Sequence, residues 1–394
     1  MKKVISILTI ICLILGIIGG IFVPTFMEDI DFIGIIYVNL LKFMIIPIIF
    51  SSIIVTVYNS NKLKGKLIFK TVLLFLVMFV LTFLLSSLII FIIRPGINYK
   101  FDEIPWDGVV NTLRWQDVII NLFPTNIISI IENNNIFASI IVAFVFGICA
   151  TKVKNGKPFI EFFESLRDIL FKVLEFIMYL TPLAVLSLIG NMVAIYGNVI
   201  LGLGLKYIVL AYILSIIALM VIMILPVMVI CHINPITYIK CVSKVWIISL
   251  TTCSPAATLP TTIKVCNEEF GISNKITSMV VPLGTTIHMC GGAVSFALLG
   301  IFTSEVYGID LTFGLFLQML IFSTLINMAA PGIPNGGIVI GASYLSLLGI
   351  PLTFMGFYSG IYKLLDMVYT SLNVTGDITA NILIEKLTHN YEKK

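Results

Sequence analysis

Runs of apolar residues as long as a lipid bilayer is thick constrain this chain more than any other feature. A helix rises about 1.5 Å per residue, so roughly 20 apolar residues cross a hydrocarbon core of about 30 Å. Such runs lie at about 4–23, 33–57, 67–93, 136–151, 170–194 and 199–231. No soluble domain has room for them: 59% of the 394 residues are hydrophobic and 11% charged, against about a quarter charged in soluble domains. Lipid offers the backbone no hydrogen-bond partner, so runs of this length must be helical. The reading is an all-α polytopic membrane protein, with kinks expected at Pro182 and Pro226.

Basic residues mark cytoplasmic ends of membrane helices. Here they cluster at Lys2 and Lys3, at Lys62, Lys64, Lys66 and Lys70, at Lys152, Lys154 and Lys157, at Lys240 and Lys244, and at Lys393 and Lys394. The loop from Arg94 to Asn126 carries Asp102, Glu103, Asp107 and Asp117 and belongs outside, so both termini are expected in the cytoplasm of a cell-membrane protein. The run after Met1-Lys-Lys is long enough to span and has no small-residue cleavage site behind it, so it reads as a first membrane helix. A net charge of +4 spread over loops, without a basic patch interleaved with aromatics, excludes nucleic acid as a partner. Seven cysteines without C-x-x-C spacing read as reduced small hydrophobes, with neither a disulfide framework nor a zinc site.

Beyond residue 231 the pattern changes. Segments 236–268 and 312–348 are apolar but broken midway, at Thr251-Thr-Cys-Ser-Pro-Ala-Ala-Thr-Leu-Pro260 and at Ala329-Ala-Pro-Gly-Ile-Pro-Asn-Gly-Gly337. About 15 residues on either side of each break suit a hairpin that enters the membrane and returns. Between them, 273–306 is interrupted at Pro282-Leu-Gly-Thr-Thr-Ile-His-Met-Cys-Gly-Gly292, where unwinding would free the carbonyls of Gly284 to Met289 as oxygen ligands. The last apolar stretch, 352–387, holds Asp366, Tyr369, Thr370, Asn373 and Asp377 at steps of three and four, hence on one helix face, with Lys363 one turn before. Ionisable groups inside a span cost about 3 kcal/mol each and mark a site by default.

At these residues the chain resembles the dicarboxylate/amino acid:cation symporter family, which includes the glutamate transporters. The resemblance rests on Ile46-Pro-Ile-Ile-Phe50, Phe123-Pro-Thr-Asn126, Ala257-Thr-Leu-Pro260, Pro282-Leu-Gly284, Gly332-Ile-Pro334, Leu365-Asp-Met367 and Asn373-Val-Thr-Gly-Asp377. It implies an elevator fold of eight transmembrane helices plus two re-entrant hairpins, assembled as a homotrimer in lipid. Residues 1–158 and 170–231 would form the scaffold, apart from the third helix, 67–93, which belongs with the transport domain of 236–390. It further implies that Asp366 binds a substrate α-amino group and Asn373 its α-carboxylate. Thr370, Tyr369, Gly292 and the hairpin-tip residues Cys253, Ser254, Ile333 and Gly337 would complete the cradle.

The departures choose the substrate and the ions. Acidic-substrate relatives carry arginine where this chain has Tyr369 and threonine where it has Gly292. Without a guanidinium fork a buried side-chain carboxylate would be unpaired, so the expected substrate is a neutral amino acid, polar or fairly large. The family's Asn-Met-Asp-Gly-Thr signature is His288-Met-Cys-Gly-Gly292 here, and a Thr-Ser pair on the third helix aligns with Met78-Phe79. One cation site is therefore expected to be lost. A second, of Asp377 with carbonyls of Gly284, His288 and Asn373, keeps its residues, and a third, of backbone carbonyls near Thr286, Met289, Asn327 and Ala329, depends little on side chains. One or two sodium ions are expected and no organic cofactor. Proton-coupled or cation-independent transport, using His288 or Lys363, is the alternative. No nucleophile–base pair, metal cluster or Walker loop is present to support an enzyme.

Overall fold

The structure, a computed structural model, describes residues 2–62, 66–97, 123–132, 136–327 and 336–392. Four of the acids expected outside, Asp102, Glu103, Asp107 and Asp117, lie beyond the described residues. So do Lys64, Lys393, Lys394 and most of the second hairpin tip, including Ala329, Gly332, Ile333 and Pro334. Among the described residues every regular element is helical.

The first half comprises α1 (Lys2–Phe22), α2 (Pro24–Asp29), α3 (Asp31–Lys62), α4 (Lys66–Ile93), α5 (Ile127–Glu132), α6 (Ile136–Lys152), α7 (Gly156–Tyr179), α8 (Thr181–Tyr196), α9 (Asn198–Ala218) and α10 (Leu225–Cys231). Apolar residues cover the outside, among them Phe22, Phe43, Phe69 and Ile92, each at least two-thirds exposed. In water that coat would drive aggregation; in lipid it is the solvated face. Inside, α3 packs on α6, α7 and α8, and α1 lies along α8. The α1–α8 approach depends on Gly16 and Gly20: a Cβ on Gly20 would stand 2.5 Å from the Gly190 carbonyl oxygen. Small residues four apart let membrane helices meet backbone to backbone.

The run 170–194 is not one continuous helix. Two helices, α7 and α8, meet at Leu180 with a 52° bend. Pro182 sits in the first turn of α8, where its missing N–H costs nothing, so the chain turns there instead of kinking in mid-helix. The first of the pair begins at Gly156 and carries exposed ion pairs, Lys157–Glu161 at 3.3 Å and Lys172–Glu175 at 2.8 Å. Those charges hid its length from a reading of apolar runs. Near Pro226 the helix widens into a π-helical stretch, Leu219–Ile224, that joins α9 to α10. By length and composition four described helices can cross a membrane, or five with the bent pair.

The second half is α11 (Pro235–Thr252), α12 (Pro255–Glu268), α13 (Asn274–Ile287), α14 (Cys290–Val306), α15 (Phe313–Asn327), α16 (Gly336–Leu347) and α17 (Phe354–Glu392). Helices α11 and α12 form an antiparallel hairpin. Its tip is Cys253, left-handed at φ 50°, and Ser254, which caps α12 by accepting from the Ala257 N–H at 3.3 Å. At the opposite end Lys244 pairs with Glu269. Helix α14 is buried all round apart from Gly292, as expected of a helix with no lipid-facing side. Helix α17 contacts α9, α11, α12, α13, α14 and α16 and is the axis of this half.

Candidate functional site

Asp366, Tyr369, Thr370, Asn373 and Asp377 are all buried on α17, none more than 7% exposed. Thr370 donates its hydroxyl to Asp366 Oδ1 at 3.0 Å, which holds the carboxylate in place from one turn away. Asn373 Oδ1 accepts from the Gly291 N–H at 2.7 Å. That bond sets the amide's orientation and leaves its NH2 end to serve a ligand. Gly291 is required for the contact, since a Cβ there would lie 2.1 Å from the Tyr369 carbonyl oxygen.

These side chains form one wall of a cavity. Opposite them stand Cys253 and Pro255 from the first hairpin tip, Met289 from the break between α13 and α14, Gly292 from α14, Asn327 from α15 and Gly337 from α16. Of the expected substrate residues, Asp366, Asn373, Thr370, Tyr369, Cys253, Gly292 and Gly337 meet at this cavity, Ser254 caps the adjoining helix, and Ile333 lies outside the described residues. Besides Pro255 of the first tip, four further lining residues were not among the expected site residues: Ser295, Phe296, Ile340 and Tyr362. Helical spacing could have found them. Ser295 and Phe296 follow Gly292 by three and four, Ile340 follows Gly337 by three, and Tyr362 precedes Asp366 by four. Lys363 is half-buried beside the cavity, its Nζ 3.0 Å from the Cys253 thiol.

The break at 284–289 is shorter than expected. Helix α13 continues through Pro282 to Ile287, and only His288 and Met289 are extended. The Gly284 carbonyl consequently still accepts the His288 N–H at 2.8 Å, keeping one lone pair to spare. Thr286 is exposed and donates its hydroxyl to the Leu283 carbonyl at 2.8 Å, so it offers no side-chain ligand inward. Met289 is buried, and its carbonyl accepts from Ala293 at 3.2 Å. Of the residues expected at cations, Asp377, Gly284 and His288 are brought together. Asp377 lies against Gly284, where a Cβ would be 2.3 Å from Oδ1, and the same oxygen is 2.9 Å from His288 Nδ1. Asn373 sits one turn before Asp377 on α17, Asn327 faces the cavity, and Ala329 is outside the described residues.

His288 is the hub of a buried chain. Its Nε2 is 3.1 Å from Cys290 Sγ, and its ring stacks on Phe75 of α4 with centroids 4.4 Å apart and planes 11° from parallel. The break follows from these contacts: an extended backbone at 288 lets the imidazole reach α17 and α4 at once.

A buried acid, a buried amide and the start of a half-helix converging on one cavity form a place for a bipolar solute inside a membrane protein. The model of the sodium:dicarboxylate symporter family matches residues 5–387. The chain belongs to that family. Its members are transporters and not enzymes. Similar proteins include the proton/glutamate-aspartate symporter of Bacillus subtilis (strain 168), 26% identical over 100% of this chain and 97% of the relative. The proton/sodium-glutamate symport protein of Geobacillus stearothermophilus is 29% identical over 97% of this chain and 94% of its own length. Excitatory amino acid transporter 3 of Oryctolagus cuniculus is 27% identical over 96% and 84%.

Proposed function

We propose that the chain is an elevator-type secondary active symporter that takes up a neutral amino acid across the cell membrane, coupled to sodium. The observation that carries the reading is the cavity's charge: Asp366 is the one ionisable carboxylate among its described lining residues, and none of them is Lys, Arg or His. A substrate ammonium has a partner there. A second substrate carboxylate would have no cation among those lining residues and would cost several kcal/mol to bury; Lys363, whose Nζ is 3.0 Å from the Cys253 thiol, stands beside the cavity and is already engaged there. The α-carboxylate is served by the Asn373 NH2 and by the N-terminus of α12, whose partial positive charge favours an anion. In this reading the protein has eight crossings and two re-entrant hairpins, works as a homotrimer with both termini cytoplasmic, and uses 236–390 with α4 as the moving body.

Sodium is assigned to two oxygen sets: Asp377 with the carbonyls of Gly284, His288 and Asn373, and the carbonyls near Thr286, Met289, Asn327 and Ala329. The site that would require a carboxylate at Cys290 is lost. Coupling to protons is the second reading, favoured by the His288–Asp377 hydrogen bond, which joins a protonatable ring to a carboxylate. Uptake by proteoliposomes tests both. A sodium gradient should drive saturable uptake of a neutral amino acid at constant pH. Uptake indifferent to sodium but abolished with the pH gradient refutes the sodium assignment, and preferred uptake of glutamate or aspartate refutes the neutral substrate.

A further inference from the structure

The side-chain end of the cavity carries polar groups that the binding of an α-amino and α-carboxylate does not use. Asn327 is 3% exposed, and its Oδ1 has no hydrogen-bond partner among the described residues. Its Nδ2 points at the Ile287 carbonyl oxygen at 3.5 Å. Reversing the amide would set two carbonyl oxygens against each other, so the acceptor end is the one turned to the cavity. It stands directly over Gly292: a Cβ on that glycine would lie 2.6 Å from Asn327 Oδ1. Any larger residue at 292 would push the amide away. The Tyr369 hydroxyl is also buried without a partner among the described residues. It looks toward Ser295, whose hydroxyl is already bonded to Tyr358 at 2.8 Å. Phe296 and Ile340 supply the apolar walls.

We infer that Asn327 Oδ1 reads the substrate side chain and selects neutral amino acids that carry a hydrogen-bond donor, a hydroxyl or a carboxamide. The inference rests on the neutral-substrate reading and narrows it. Oδ1 accepts only, so it rewards an O–H or N–H and repels a carboxylate. The Tyr369 hydroxyl donates to the oxygen of the same substrate group or accepts from it. Gly292 acts by being small. Buried polar groups left unpaired penalise a ligand that lacks the matching atom more than a missing methylene would.

The test is calorimetric titration of the purified full-length protein with near-isosteric pairs. L-threonine should bind at least tenfold more tightly than L-valine, and L-asparagine at least tenfold more tightly than L-aspartate. In Asn327→Leu the threonine-to-valine ratio should fall toward one. Equal affinity for threonine and valine in the wild type overturns the donor rule and leaves the neutral reading intact. Aspartate or glutamate binding more tightly than their amides overturns the neutral reading itself, as does binding of none of these. A threonine preference that survives in a folded Asn327→Leu overturns the assignment to Asn327. Should that variant not fold, the wild-type pairs still decide the donor rule.

Discussion

Replacing Gly291 by alanine tests the packing that orients Asn373. The added Cβ would lie 2.1 Å from the Tyr369 carbonyl oxygen and 2.6 Å from both its carbonyl carbon and its Cα. All three are backbone atoms of a buried helix and have no rotamer in which to escape. Carbon atoms rest about 3.5–4.0 Å apart, so α14 and α17 must part by roughly 1 Å. Overpacking of this kind costs about 1–3 kcal/mol. Parting also stretches the 2.7 Å bond from the Gly291 N–H to Asn373 Oδ1, a net loss of about 1 kcal/mol. Alanine's better helix propensity offsets up to about 1 kcal/mol, leaving a net destabilisation of roughly 1–3 kcal/mol. Thermal unfolding of the purified protein should shift down by several degrees, and calorimetric affinity for the substrate should drop about tenfold or more because Asn373 loses its anchor. Gly314→Ala is the control: its nearest neighbour, Thr312 Oγ1, is 3.8 Å from the added carbon, an ordinary contact. Gly291→Ala melting and binding like the wild type would show that α14 and α17 do not meet as described.

Asp366→Asn keeps the shape and the Thr370 contact but removes the charge opposite the substrate ammonium. Affinity should fall at least about thirtyfold, equivalent to roughly 2 kcal/mol, with little change in unfolding temperature; unchanged affinity would remove Asp366 from the site. Asp377→Ala leaves the buried His288 Nδ1 without its hydrogen-bond partner, so unfolding should be easier by about 1–3 kcal/mol, and the loss in the Asp377→Ala/His288→Ala double variant should be smaller than the sum of the two single losses. Glu269 is held below its usual carboxylate range by the hydrogen bond from Lys244. Its contribution is therefore fully present above the ordinary carboxylate pKa and vanishes as pH falls through the lowered folded value. The gap in unfolding temperature between wild type and Glu269→Gln should close on acidification, and a gap that widens instead would refute the pairing.

Much of this architecture is legible in the sequence because membranes reduce folding to a few strong signals. Bilayer-length runs located α1, α3, α4, α6 and α9, and the interruption at 251–260 located the hairpin of α11 and α12. The polar face of α17 is written in three- and four-residue steps from Asp366 to Asp377. Failures came where a helix does not follow the apolar rule. Helix α7 carries several charges, so Glu161, Glu164, Arg167 and Asp168 disguised its first turns, and the kink expected at Pro182 is a 52° bend at which a new helix begins. The break near His288 was overestimated because Gly284 and Pro282 count as helix breakers, whereas packing of Leu283, Gly284, Thr285 and Ile287 in the interior keeps that turn helical. Contacts across the fold were out of reach altogether: nothing in the order of residues says that Phe75 will lie on His288 or that Asn327 will overhang Gly292.

Those long-range contacts also bear on the proposed loss of a cation site. Met78 is far in the chain from His288 and Cys290, yet α4 packs on α14 and on α17, and Phe75 of α4 covers the imidazole. Thr82, one turn after Met78, donates its hydroxyl to the Met78 carbonyl at 2.7 Å and faces the Cys290 thiol. A hard cation needs oxygen ligands. Here a thiol and a phenyl ring stand against the imidazole, which in turn fills the space beside Asp377. Soft and apolar groups cannot repay the dehydration of a sodium ion, which is the physical reason for proposing that sodium does not bind on the α4 side. What remains is on the other side of His288: the second oxygen of Asp377, the spare lone pair of Gly284 and the carbonyls around Met289. Any sodium dependence must therefore survive Cys290→Ala and Met78→Ala, and must be sensitive to Asp377. Sodium stimulation lost in Cys290→Ala but kept in Asp377→Asn would place the ion on the side where the structure offers it no oxygen.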